Sequence, residues 1–341
     1  MVDELAQAKE QRRIEWPTKP TDHADGVYFR MPMDEYHADT AIGASGICDL
    51  TRSPLKFWKS SNFNPKKAAK EEDDKETDAT IRGEYFHDAL AGVRSRFVVK
   101  PAGMSFATKE GKEFKASRPG ATFIKADDAD KAQEMIDAMR ETGALERVGG
   151  VGGGISEVSF FWTDSMGRRR KIRADRLFNG EMFDWKTMAN SADKDIETLT
   201  AHTVAQRGYS IKAFHYQTGI QAMKKMINAK GAAAFMTETA ETEYSEMLAI
   251  AQSETIVPFW FVFIENGGVP NVVARRFVSH DSSGQLNAYF RFAKQETERA
   301  LKIFDAYMES HGPDKPWYSP AYFKEFSDED FVSARWILAI D

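Results

Sequence analysis

The spacing of apolar positions changes period several times along the chain. Ile81, Tyr85, Leu90 and Val93 recur at roughly helical spacing, with Gly83 and His87 on adjoining positions. Asp127 to Val148 predicts a second amphipathic helix, with Ala132, Met135, Ile136 and Met139 forming its stripe. It runs into the glycine-rich VGGVGGG at 148–154. No strand precedes that run and no Lys-Ser/Thr follows it, so it reads as a flexible connector and not as a phosphate loop. The period then shortens to two. Ile155–Thr163, Lys171–Phe178 and Glu181–Trp185 predict a three-strand meander, turned at Asp164-Ser165-Met166-Gly167 and at Asn179-Gly180. Helical patterns return over 203–229 and 238–253, the second with Tyr244, Met247, Leu248 and Ala251 inside. Pro258–Glu265 and Val272–Val278 predict a hairpin across Asn266-Gly267-Gly268. A last helix, at about 284–309, leads into an aromatic tail, and Ser53-Pro54 starts a short helix near the other end. These elements give an α/β fold class: a small mixed, largely antiparallel sheet with helices on both faces.

Composition narrows the function classes. Of 341 residues, 42% are hydrophobic and 29% charged, so the chain can bury a core. A net charge of −6 excludes a protein that coats nucleic acid by bulk basicity, but leaves room for a local basic groove. The one cysteine, Cys48, excludes an internal disulfide, a Cys-ligated zinc and an iron–sulfur cluster, and suits a reducing compartment. The opening MVDELAQAKEQRRIEW has no apolar signal core. The longest apolar run, Ile256 to Ile264, is too short to span a bilayer and contains Pro258. A cytoplasmic protein with no membrane partner is expected. Residues 1–25, with Pro17 and Pro20, predict a loose arm. Lys66, Lys67 and Lys70, followed by Glu71, Glu72, Asp73 and Asp74, predict a solvated loop within 61–80.

The candidate chemistry sits in the meander. Asp184 and Lys186 are two apart on one strand, so they point to one face. Asp175, in KIRADRL, lies across the tight turn, where cross-strand neighbours are roughly 5 Å apart and can share one divalent ion. Hard oxygen ligands without cysteine favour Mg²⁺, with Mn²⁺ able to substitute, over zinc. A lysine beside two acids can stabilise developing negative charge or hold a water nucleophile. Taken alone, the pattern is also that of a charged edge strand. Glu157 on the preceding strand, His87 in GEYFH upstream, and Tyr209 and Tyr216 on the following helix shift the balance towards a site. Arg168, Arg169, Arg170, Lys171 and Arg173 form a basic cluster entering the second strand; it reads as a solvated hairpin turn or, beside such a site, at least equally as a phosphate contact.

Gly83-x-x-x-His87, Glu157, RADRL with Asp175, FDWKT with Asp184 and Lys186, and the Tyr-bearing helix, in that order, resemble the PD-(D/E)XK nuclease superfamily, nearest to its RecE-type (exonuclease VIII-like) and RecB-type nucleases. The segment GVYFRMPMDEYHADTAIGASGICDLTRSPLKFWKS resembles the N-terminal portion of phage and prophage members, so the likeness runs from about Gly26 to about Val278. The resemblance implies a restriction-endonuclease-like core over 81–310, an N-terminal embellishment over 26–80 and a tail over 311–341. It implies Asp175 and Asp184 as metal-binding carboxylates, with the Trp185 carbonyl and His87 completing the shell. Lys186 would be the catalytic lysine, and Glu157 an acid at the edge of the site. Lys212 stands where the family helix carries glutamine, four residues before Tyr216, and could meet a DNA phosphate as a point charge. The implied activity is metal-dependent hydrolysis of DNA, 5′-to-3′ from linear duplex ends, by a homo-oligomer working with a single-strand annealing recombination protein. A structure-specific or single-strand nuclease, and a DNA-end-binding module with a decayed site, remain the alternatives.

Overall fold

The computed structural model describes residues 16–321, apart from 63, 66, 68–76, 94–95 and 191–193. The first fifteen positions of the expected arm, most of the 61–80 charge run and the tail beyond 321 lie outside the described residues.

Strand β1 (Gly26–Tyr28) opens the fold, followed by helices α1 (Met33–Ala38), α2 (Ala44–Arg52), α3 (Pro54–Ser60) and α4 (Asp78–Ala91). Next come β2 (Phe97–Lys100), α5 (Lys109–Ala116), β3 (Thr122–Lys125), α6 (Ala126–Glu141) and α7 (Ala144–Arg147). The meander is β4 (Ile155–Thr163), β5 (Arg169–Phe178) and β6 (Glu181–Met188). Helices α8 (Ile196–Arg207), α9 (Tyr209–Lys230) and α10 (Glu241–Gln252) precede the hairpin β7 (Phe259–Glu265) and β8 (Val272–Phe277), and α11 (Ala288–His311) follows.

Six strands form one sheet in the order β1-β4-β5-β6-β7-β8. Only the β6–β7 pair is parallel. A parallel neighbour needs a crossover, and α8, α9 and α10 supply it. Helix α9 covers one face, with Ile220, Met223 and Ile227 against Val158, Ile172 and Phe261. The approach is close: a Cβ on Gly219 would come to 2.6 Å from the Ile172 side chain, which would have to shift to admit it. On the other face, Phe86 and Leu90 of α4 and Met135 and Ile136 of α6 pack on Phe183, Trp185, Val262 and Ile264. A third cluster joins α2, α3 and α11 through Ile47, Phe57, Trp58, Phe304 and Trp317. Among the described residues no helix is long and apolar enough to cross a membrane.

Four expectations need correction. The helix predicted over 203–229 is two, broken at Gly208, which adopts φ 65° between α8 and α9. The one predicted over 127–148 stops at Glu141, and α7 restarts after Gly143 (φ 73°). The 26–80 segment is not only an embellishment, because β1 pairs with β4 and extends the central sheet. The glycine-rich run is pinned. The guanidinium of Arg176, fully buried, donates to the Val148 carbonyl at 3.2 Å and to the Gly150 and Leu90 carbonyls. The Gly152 N–H donates to the same Leu90 carbonyl at 2.9 Å. The small parallel β2–β3 sheet was not foreseen; each strand is four residues long, too short for its period to register.

Candidate active site

The β5–β6 ladder pairs Phe178 with Glu181, Leu177 with Met182 and Arg176 with Phe183. At the next position the Asp175 Oδ2 accepts the Trp185 N–H at 2.8 Å. The side chain thus takes a donor that a strand carbonyl would use, and the carboxylate is fixed between the two strands. Asp184 and Lys186 lie on the sheet face that α9 covers. Lys186 is ion-paired with Asp184 and donates to the Trp185 carbonyl at 3.0 Å. Its Nζ lies 5.6 Å from the Phe261 ring and 5.8 Å from that of Tyr209.

Glu157 reaches the site through a local irregularity. It has φ 56°, in the left-handed region that few non-glycine residues adopt. Its neighbours Ser156 and Val158 stay in register with Arg176 and Ala174. Ile155 and Val158, three apart, therefore face the same core, while Glu157 turns to an ion pair with Arg173. Such strain persists where surrounding structure fixes it, and it clusters at functional sites. From the other face, α4 brings His87 Nδ1 to 3.8 Å from Asp175 Oδ2. His87, Glu157 and Asp175 each offer one ligand atom, all within 4.8 Å of one another.

The electrostatics are those of crowded carboxylates. Burial, and then the charge of Asp184, push the Asp175 pKa well above the usual carboxylate range. Burial opposes the charge of Lys186, but Asp184 and Asp175 outweigh it and hold the ammonium's pKa above its ordinary value. Burial lowers the His87 pKa against the opposing pull of Glu157, so its imidazole is neutral, with a lone pair free, near pH 7. A divalent ion fits the donors that lie within ligand reach of one another: the carboxylates of Glu157 and Asp175 and the neutral imidazole of His87, with no thiolate among them.

A cleft of about 440 Å³ is lined by Asp175, Asp184, Lys186 and Tyr216 together with Tyr36 and Ile42 from the N-terminal segment. Sequence reasoning missed that N-terminal lining; the only signal for it was the resemblance of the DEYHADTAIGAS segment to phage members. Arg176 was also missed, since nothing in RADRL tells which arginine turns inward.

The residues expected to bind DNA are placed differently from one another. Tyr216 lines the cleft, its ring 5.4 Å from that of Phe259. Tyr209 is buried and stacked 4.8 Å from Phe261. Lys212, half-buried, holds its Nζ 4.8 Å from the Tyr209 ring. The basic cluster does not form a phosphate surface. Arg168 is paired with Asp164 at 2.8 Å and with Asp305 at 3.3 Å. Arg169 is buried against Asp22 and Asp39, both at 3.1 Å. Arg170 donates to His215, Lys171 donates to the Tyr36 and Asp39 carbonyls, and Arg173 is held by Glu157. Burial pushes the Lys171 pKa down to about 8. Only Lys171 and Arg173 of the cluster line the cleft at all.

A search of curated proteins finds no match to the chain. A crystal structure from Eubacterium rectale, named a presumed exonuclease, is similar to it with a TM-score of 0.48 and 15% identity, over 89% of this chain and 97% of that one. The family described as a PDDEXK-like domain of unknown function (DUF3799) matches residues 51–257. That span contains His87, Glu157, Asp175, Asp184 and Lys186, the residues that the fold gathers into one site. The chain belongs to this PDDEXK-like family, with the restriction-endonuclease-like α/β core that its sequence led us to expect.

Proposed function

We propose that the protein is a metal-dependent deoxyribonuclease that hydrolyses phosphodiester bonds from the ends of linear duplex DNA, in the 5′-to-3′ direction. The observation that carries a nuclease is the gathering of His87, Glu157 and Asp175 beside the Asp184–Lys186 pair in a PDDEXK-like domain. Duplex ends, direction, a homo-oligomer and an annealing-protein partner rest on the RecE-type resemblance. A decayed site is disfavoured because Asp175, Asp184 and Lys186 are intact, although Lys212 replaces the family's glutamine.

Asp175, Asp184, Glu157, His87 and the Trp185 carbonyl would hold Mg²⁺ or Mn²⁺. When bound, such an ion supplies Lewis acidity and lowers the pKa of a coordinated water. Lys186 stays protonated, so it serves as a fixed positive charge and not as a general base. Its ammonium can offset the negative charge that a phosphate gains as a water oxygen bonds to phosphorus and the bond to the leaving oxygen breaks. Asp175 is held in place by the Trp185 N–H, so the carboxylate need not reorganise during the reaction. Burial, and then Asp184, raise the Tyr216 pKa well above the ordinary value, so the phenol facing the cleft keeps its proton.

The test uses linear duplex labelled at either 5′ or 3′ ends, beside covalently closed circles, with Mg²⁺ and with a chelator. Release of mononucleotides from linear DNA with Mg²⁺ only, circles surviving, is the expected result. Rapid linearisation of the circles would replace the exonuclease by an endonuclease, and the order of label release tests the direction.

A further inference from the structure

Tyr36, on α1, lines the same cleft as Asp175, Asp184 and Lys186, although it lies far from them in sequence. The link is β5. Lys171 donates from its Nζ to the Tyr36 carbonyl at 2.6 Å and to the Asp39 carbonyl at 2.9 Å. The Ile42 N–H donates to the Arg169 carbonyl at 2.9 Å, and the Lys171 N–H donates to the Ile42 carbonyl at 3.1 Å. The buried ion pair between Arg169 and Asp39 holds the same segment. The strand that carries Asp175 therefore also fixes Tyr36.

The ring itself is packed on several sides. Lys171 Nζ stands 4.8 Å from its centre and the Arg173 guanidinium carbon 5.8 Å from it. The rings of His37 and Phe161 meet it edge-on, at 5.5 and 5.9 Å. A phenylalanine would make all of these contacts. The hydroxyl takes no part in them. Among the described residues it has no hydrogen-bond partner, and it keeps access to the cleft. A phenol can donate as well as accept, and one fixed beside polar groups ordinarily finds a partner. The neighbouring acids are otherwise engaged, Glu157 by Arg173 and Asp175 by the Trp185 N–H.

The surroundings define the missing partner. Glu157 and Asp175 are near enough for their charges to act on the phenol. Burial keeps its pKa above the ordinary value against the pull of Arg173, so the group stays a neutral donor. The cations over the ring polarise it and strengthen the O–H as a donor. An idle donor beside carboxylates suited to a divalent ion fits an anion that such an ion would attract. In a nuclease that anion is the phosphodiester being cut.

We propose that the Tyr36 hydroxyl donates a hydrogen bond to a non-bridging oxygen of the scissile phosphate and is a catalytic residue of the cleavage reaction. The proposal rests on the nuclease reading above. As a water oxygen bonds to phosphorus and the bond to the leaving oxygen breaks, negative charge grows on the non-bridging oxygens. A donor already fixed there is worth more in the transition state than in the ground state. The phenol keeps its proton throughout. Lys186 supplies charge, and Tyr36 supplies a directed neutral donor.

Tyr36→Phe removes the hydroxyl and leaves the ring contacts. Single-turnover cleavage of end-labelled linear duplex with Mg²⁺ is measured on ordinary DNA, and on DNA with sulfur replacing one or the other non-bridging oxygen of the terminal linkage. We expect the variant to cleave ordinary DNA about 10²-fold more slowly. It should bind duplex in EDTA as tightly as the wild type and melt at the same temperature. Sulfur accepts hydrogen bonds poorly, so one diastereomer should slow the wild type by a factor that is lost in the variant. The other should slow both proteins alike. Equal sulfur effects in the two proteins for both diastereomers, or wild-type rates in the variant, would overturn the proposal and leave the nuclease reading standing. A lowered melting temperature with equally weakened binding would assign Tyr36 to packing and overturn it too. No cleavage of any DNA by the wild type with Mg²⁺ would overturn both.

Discussion

Lys186 carries the positive charge beside the carboxylates of the cleft. It bridges Asp184 and the Trp185 carbonyl, two groups that a divalent ion would also want. Removing Asp184 takes one carboxylate from the site and frees Lys186, but leaves Lys212 untouched. Asp184→Ala should therefore lower Mg²⁺-dependent cleavage on the order of 10⁴-fold or more, as when one member of a catalytic unit is lost. Binding to duplex ends in EDTA should persist or tighten slightly. Substantial Mg²⁺-dependent cleavage by the folded variant would show that the reacting groups lie elsewhere. The placement of Asp184 and Lys186 on one face was legible from strand alternation, and Asp175 from the tight turn. The fate of the basic cluster was not. Arg169 meets Asp39 from 130 residues away, and no local pattern marks which arginines find such partners.

At the level of elements, the break at Gly208 places α9. The apolar spacing runs on through Val204, Ile211 and Phe214, which is why one helix was expected. A lone glycine is a weak stop signal. The turn makes Tyr209 the first residue of α9 and swings its ring under Lys186. At φ 65° an alanine is strained, and its Cβ would come to 3.2 Å from the Cys48 Sγ. Gly208→Ala should cost about 1–2 kcal/mol in urea denaturation. It should also weaken DNA binding in EDTA, since Tyr209 and Lys212 move with the turn. A variant as stable as the wild type would mean that the junction can relax without cost. Strand positions were better foreseen than helix limits, because the meander's alternation and its Asn-Gly turn reinforce each other.

Across the whole molecule, stability should respond to acid through His215. It is fully buried; its Nε2–H donates to the Lys171 carbonyl at 3.0 Å and its Nδ1 accepts from Arg170 at 2.8 Å. Burial, and then the Arg170 charge, hold its pKa well below the ordinary value. Below a pH of about 6.5 the unfolded chain binds a proton that the folded one refuses, so stability falls as pH drops, by up to about 1.4 kcal/mol per pH unit, and is fully present above that pH. His215→Asn should flatten this fall between pH 6.5 and 5 in denaturation midpoints; an equal slope would assign the acid sensitivity to other groups. Arg176 has a different consequence. Its guanidinium ties β5, one position past Asp175, to the Leu90 carbonyl of α4, the helix that carries His87. The imidazole and the carboxylates belong to two layers, and this buried guanidinium joins the apolar packing of Phe86 and Leu90 on Phe183 and Trp185 in holding the layers together. The active centre is therefore jointed: any shift of the histidine-bearing helix against the acid-bearing sheet must also move this guanidinium and the glycine-rich carbonyls that it holds.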